Sequence, residues 1–378
     1  MSGKIAMGNR TPCGVLWVLL LAAGALAAAP GVPGRPREWA LPVQEGSSLT
    51  GLRAVAEGRL VFLGETVFKK GPTGDDARPR FILHMLDTKT GRFSDEAKPF
   101  ARAMAGQKIG YHFAVPSPDG QYIVFGVSTQ PGPGTRTAYL LDRGSGTTRK
   151  LAERLADKPV WAGRKLYIGC LTPDRRLGPI QVFDSAKGTL APMKLCGLVG
   201  AADATGQFLV CAHDPKDPTT PLGRREFRQK AVTAVISPDG KLVRERATAE
   251  PTHTPPVFSP SGKYLAALHL DFADLRPPGV GPKPPPKSYL EIVEIGGEGR
   301  WRIKGEAWPK AVSDTGEVVA AHKDEKPGQE EIKIWDAKGN SRTLARGARY
   351  STVAGGTLYY VTGRPKPVLK AVQLEAAK

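Results

Sequence analysis

Seven short stretches of this chain share one form, and recurrence at that spacing leaves few folds open to it. Aligned on the glycine of a turn they are AEGRLVFLG from position 56, PDGQYIVFG from 118, WAGRKLYIGC from 161, TGQFLVCAH from 205, SGKYLAALH from 261, TGEVVAAHK from 315 and GGTLYYVTG from 355. The copies lie about 40 to 62 residues apart. Each has a glycine, one or two polar residues, then five to seven apolar or β-branched residues, the pattern of a buried strand leaving a tight turn.

A second set interleaves with the first: FILHMLDTKTGRF, TAYLLDRGSGTTRKL, PIQVFDSAKGTLAPM, TAVISPDGKLVRER, YLEIVEIGGEGRWRI and IKIWDAKGNSRTLA. Each is a strand, a four-residue turn with glycine near its end, and a more polar strand, hence an outer hairpin. The unit is therefore four strands, A to D, with units near 49–96, 107–151, 157–195, 198–247, 252–304, 307–345 and 348–374. The seventh has only one strand, PVLKAVQLEAAK, after its inner hairpin, and the unassigned REWALPVQ at 37–44 can supply the fourth. Pairing the two ends removes the exposed edge an open array would leave. We expect an all-β, seven-bladed β-propeller of four-stranded antiparallel blades, closed by the N-terminal strand, as a single domain over residues 30–378. The best helical stretch, DEAKPFARAMAGQ at 95–107, falls between the first two blades as a connector.

These residues resemble the TolB-like and WD-repeat-like propellers, whose units carry a Ser-Pro-Asp-Gly turn ahead of an apolar run. The likeness is best at VPSPDGQYIVF, VFSPSGKYLAAL and KAVSDTGEVVAA, and it extends over nearly all of the chain after residue 30. It implies a propeller, and it implies a binding platform or gate more readily than an enzyme.

Residues 1–29 have the form of a secretory signal peptide: Lys4 and Arg10, an apolar run from Gly14 to Ala29, and small residues at its end. That run is shorter than the roughly 20 residues a spanning helix needs. An exported protein, periplasmic or extracellular, is expected. Without Lys4 and Arg10 the net charge is still near +16, which favours an anionic partner such as a lipid surface or acidic polysaccharide. Cys170, Cys196 and Cys211 allow at most one internal disulfide.

In a four-strand blade the A-B and C-D turns share one face, and the B-C and D-A connections share the other. The B-C connections are long and varied, as in DPKDPTTPLGRREFRQ and DFADLRPPGVGPKPPPK, and loops massed on one face of a rigid ring are where binding is built. Arg224, Arg225 and Arg228 form the densest basic cluster there. Strand A lines the channel, so His112, Lys158, His253, Trp308 and Tyr350, at the starts of A strands, are candidates to face its loop-side mouth and hold a small anionic or sugar-like ligand. His213, His269 and His322 close B strands of neighbouring blades, each followed by an aspartate. A fan of sheets holds such positions too far apart for one metal ion, so no metal and no cofactor are expected. Nucleophile elbow, Walker loop and zincin helix are absent.

The expected function is a non-enzymatic binding or scaffold module for a protein or an anionic envelope component. We expect a monomer, with peripheral membrane contact compatible and nucleic acid disfavoured. The alternative is a small-molecule hydrolase or lyase of propeller lactonase type at the channel mouth, which would require several carboxylates or histidines to converge on the axis.

Overall fold

In the computed structural model, the described residues are 36–68, 80–107, 109–128, 136–213, 232–237, 241–245, 255–271, 287–324, 328–363 and 366–374. They form seven antiparallel sheets of four strands, the blades of an all-β propeller. In blades 1 to 6 the sheet order follows the chain. The inner strands of the ring are Ser48–Val55, Gly110–Pro116, Val160–Ala162, Leu198–Ala202, Val257–Phe258, Ala307–Val312 and Tyr350–Ala354. The leader at 1–29 lies outside the described residues.

The apolar runs are continuous because every blade is covered on both sides. Successive side chains of a strand point to opposite faces, so in Leu60–Val67 the residues Leu60 and Phe62 enter the seam with blade 2 while Val61 and Leu63 enter the seam with blade 7. The hydrophobic core thus lies in seven seams between neighbouring blades and not in one central mass. The seam between blades 1 and 2 also takes in a helix, Ala97–Ala103, within the stretch read from sequence as a helical connector. Its Phe100 is fully buried and stacks on Phe125 with ring centroids 4.4 Å apart. On the turn face Arg143 fastens the same seam: Nε donates to Glu96 Oε2 at 2.7 Å and a terminal nitrogen to the Gly120 carbonyl at 2.6 Å.

The Ser-Pro-Asp-Gly turn at 117–120 has a defined local chemistry. Gly120 takes φ of +72° and its N–H donates to the Ser117 carbonyl at 2.9 Å. The Ser117 hydroxyl accepts the Tyr122 N–H at 2.9 Å, capping the start of strand B. Ser259, Ser313 and Asp203 do the same for Tyr264, Glu317 and Phe208 in blades 5, 6 and 4. The outer turns use a different device, in which a carboxylate such as Asp87, Asp142 or Asp336 accepts N–H groups two to four residues on.

Blade 7 has the order Arg37–Ala40, Val368–Gln373, Thr357–Thr362, Tyr350–Ala354 from rim to axis, so the N-terminal strand is its outermost member. Arg37 pairs with Ala371 and Ala40 with Val368, and Lys370 Nζ lies 2.7 Å from Glu38 Oε1. Trp39 and Leu41 pack into the seam between blades 7 and 1. The chain then reaches blade 1, where the Gln44 N–H donates to Glu65 Oε1 at 2.7 Å. Glu65 is fully buried, and its other oxygen is hydrogen-bonded to His84 Nε2 at 2.5 Å. Two tyrosines complete this seam: the Tyr359 hydroxyl donates to the Gly58 carbonyl at 2.7 Å and the Tyr350 hydroxyl to the Leu49 carbonyl at 2.6 Å.

Candidate functional site

Two cavities lie along the axis, and both are bounded by Arg53, Val115, Pro116, Pro255, Val257 and Lys310, so they are the halves of one channel. The half toward the A-B turns encloses about 930 Å³, and all seven blades contribute to its wall. The half toward the B-C connections encloses about 520 Å³ and is lined by Thr50, His112, Lys158, Trp308, Ser351 and Thr352 among others.

Three of the residues chosen from sequence therefore meet at the loop-side mouth: His112, Lys158 and Trp308. Tyr350 does not. It begins an inner strand as expected, but its side chain turns into the blade 7 to blade 1 seam to reach the Leu49 carbonyl, and strand alternation gives Ser351 to the mouth instead. His253 and the arginines Arg224, Arg225 and Arg228 lie outside the described residues.

Sequence reasoning missed Arg53, which bounds both halves of the channel. The signal was present, because a lone arginine in an innermost strand, here TGLRAV, has only the channel to enter. Arg53 is exposed to the water of the channel, and desolvation by the surrounding walls pushes its guanidinium pKa down. Lys158 is lowered first by burial and then by the positive charge of Arg53, partly offset by Asp157, with Arg136 adding to the lowering. His112 is lowered by burial and by Arg136, and its Nε2 lies 2.8 Å from the Ser128 hydroxyl. Arg53 and Arg136 thus each repel Lys158, while the neighbouring Asp157 attracts it. Glu330 Oε2 lies 3.6 Å from Lys310 Nζ.

The strand-end histidines stay within their own blades. His269 stacks on Tyr289 and its Nε2 lies 2.9 Å from Glu291 Oε2, while His322 packs against Trp335. The side chain of His213 lies outside the described residues. Among the described residues there is no group of three or more His, Cys, Asp or Glu side chains placed to hold a metal ion. Cys170, Cys196 and Cys211 are all free thiols, so the disulfide allowed by their number is not formed. Burial pushes the Cys211 thiol up to about 12 and the Cys170 thiol up to about 11, which leaves little thiolate for reaction.

Glu291 belongs to a compact ionic network at the blade 5 rim. Burial alone would raise its carboxyl pKa, but hydrogen bonds from His269, Arg300 and Arg302 overcome that and hold it at about 2. A carboxyl lowered on folding contributes stability that is present above the unfolded value of about 4.5 and is lost as pH falls through about 2. Because Arg300 and Arg302 are about half exposed, at 47% and 48%, we expect a contribution of about 2 kcal/mol after solvent screening. Urea unfolding from pH 6 to pH 2 should show Glu291→Gln with a flatter pH dependence than the parent; parallel curves would refute the role given to this carboxylate.

No family model matches the chain, and no curated protein matches it. Among solved structures, a chain in the crystal structure of a mitotic checkpoint complex superposes with a TM-score of 0.50 at 12% identity, covering 99% of this chain and 100% of that one. A prolyl endopeptidase superposes with a TM-score of 0.52 at 13% identity, and apo prolyl oligopeptidase B from Galerina marginata with 0.51 at 11%. Each of these two matches covers 88% of this chain, which spans about half of the peptidase in question (49% and 50%). At these identities the likenesses show the fold alone: the chain is a β-propeller.

Proposed function

We propose that this chain is an exported binding module that receives a protein or an anionic envelope component on the loop-bearing face of its ring, around the channel mouth. The observation that carries this is the meeting of Arg53, Lys158 and His112 at that mouth, with Arg136 near enough for its charge to act on both Lys158 and His112. Cations held together against their own repulsion favour an anion that relieves it. The overall charge of +18 adds a long-range attraction of the same sign. The cations that converge among the described residues of the mouth support the binding of an anion there. The sequence likeness to TolB-like and WD-repeat-like propellers and the neighbour found in a checkpoint complex agree with a protein partner.

The test is capture from envelope extract by the mature chain, beside an Arg136→Gln/Lys158→Gln variant. Capture should weaken roughly tenfold in the variant and fall away as salt rises from about 0.05 to about 0.5 M. Capture indifferent to both changes would overturn the proposal. Anion binding should also take up a proton at His112, so affinity should rise as pH falls through the range where that residue titrates.

A further inference from the structure

The two ends of the channel differ in chemistry. The turn-side half is walled mostly by apolar groups, including Pro118, Trp161, Phe258 and Val353, with Glu317 and Lys310 as its charged members besides Arg53. The loop-side half presents hydroxyls from Thr50, Ser351 and Thr352 together with His112 and Lys158. Arg53 stands where the halves meet, bounding both. At about 930 Å³ the apolar half is the size of a pocket that encloses a drug-sized molecule, and such pockets are mostly apolar with a few fixed polar groups.

We infer that the channel binds an amphiphilic organic anion, a carboxylate or phosphate head on an apolar body, with its head at Arg53 and Lys158 and its body in the turn-side half. A purely hydrophilic anion leaves the apolar wall wet, and a neutral oil leaves Arg53 unpaired in a confined site. An amphiphile with one anionic end satisfies both, because burying its body removes apolar surface from water while its head pairs with the guanidinium. Arg53 has the bidentate geometry such heads accept. The inference rests on the cationic mouth proposed above, and it adds the interior of the ring and the apolar half of the ligand.

Calorimetric titration of the mature chain with decanoate, decyl phosphate, hexanoate and decanol tests it. Decanoate should bind at least tenfold more tightly than decanol. Each methylene between hexanoate and decanoate should add roughly threefold to fourfold. The decyl phosphate arm tells a phosphate head from a carboxylate head. Arg53→Gln should lower decanoate affinity about tenfold and leave decanol unchanged, and Arg53→Lys should restore part of the loss. If Arg53→Gln does not fold, Lys158→Gln, at an exposed position, should still lower decanoate affinity severalfold. Decanoate binding no better than decanol, affinity flat with chain length, or charge-deleted variants that bind like the parent would each overturn the inference. Failure here with salt-sensitive envelope capture intact would leave the loop-face proposal standing, whereas loss of both would remove the cationic mouth as a site.

Discussion

Removal of residues 37–44 should cost on the order of 5 kcal/mol, comparable to the whole stability of many domains, and should make the chain prone to aggregate. Three losses add up. The four ladder pairs from Arg37↔Ala371 to Ala40↔Val368 disappear, and Trp39 and Leu41 leave the seam they fill between blades 7 and 1. The Gln44 N–H no longer reaches Glu65, whose buried Oε1 is left without that donor. The strand Val368–Gln373 then becomes an open edge, ready to pair with another molecule. Size-exclusion chromatography and urea unfolding check this. A truncated chain that elutes like the parent and keeps the parental midpoint would show that the N-terminal strand is dispensable.

His84→Ala should destabilise the fold by about 3 kcal/mol, more than any exposed substitution. His84 is 7% exposed and Glu65 fully buried, so the carboxyl oxygen that loses its 2.5 Å partner has no access to bulk water. Glu65→Gln is the informative control. Its amide keeps an acceptor for the Gln44 N–H and a donor for an imidazole nitrogen, so it should cost well under half as much. The urea midpoint should shift without a change in slope. A cost below about 1 kcal/mol for His84→Ala would mean that the buried carboxyl oxygen does not depend on this hydrogen bond.

The ring was legible in the chain because its repeat is written in backbone chemistry. A glycine in the left-handed region and an apolar run packed on both faces leave a mark in every blade, and in four of them a serine or aspartate caps strand B. Ser117 and Ser259 illustrate it in two of them. The strand that closes blade 7 could be found by elimination, since one blade lacked a member and one stretch lacked a blade. The site was only partly legible. Position along strand A located His112, Lys158 and Trp308 at the mouth, but which way a side chain turns at a strand end depends on register, and one residue of register sent Tyr350 to the Leu49 carbonyl. Arg53 was passed over because attention fell on the starts of the inner strands, whereas the residue that bounds both halves of the channel lies further along its strand. The Glu65 and His84 pair was hidden for another reason: two polar residues inside apolar runs, 19 positions apart, show their partnership only once the strands align.

The pairing of Arg37–Ala40 with Val368–Gln373 also sets an order of events in the life of the chain. Six blades can assemble from neighbours in sequence, as hairpins that meet their own turns. The seventh must wait for its outermost strand to join a partner more than 300 residues away, the longest loop closure in the molecule. A polypeptide emerging from its N-terminus therefore carries Arg37–Ala40 unmatched until Val368–Gln373 has been made. The inner strands that wall the channel do not include Arg37–Ala40, so the strand that closes the ring acts on the channel only through the seam it completes.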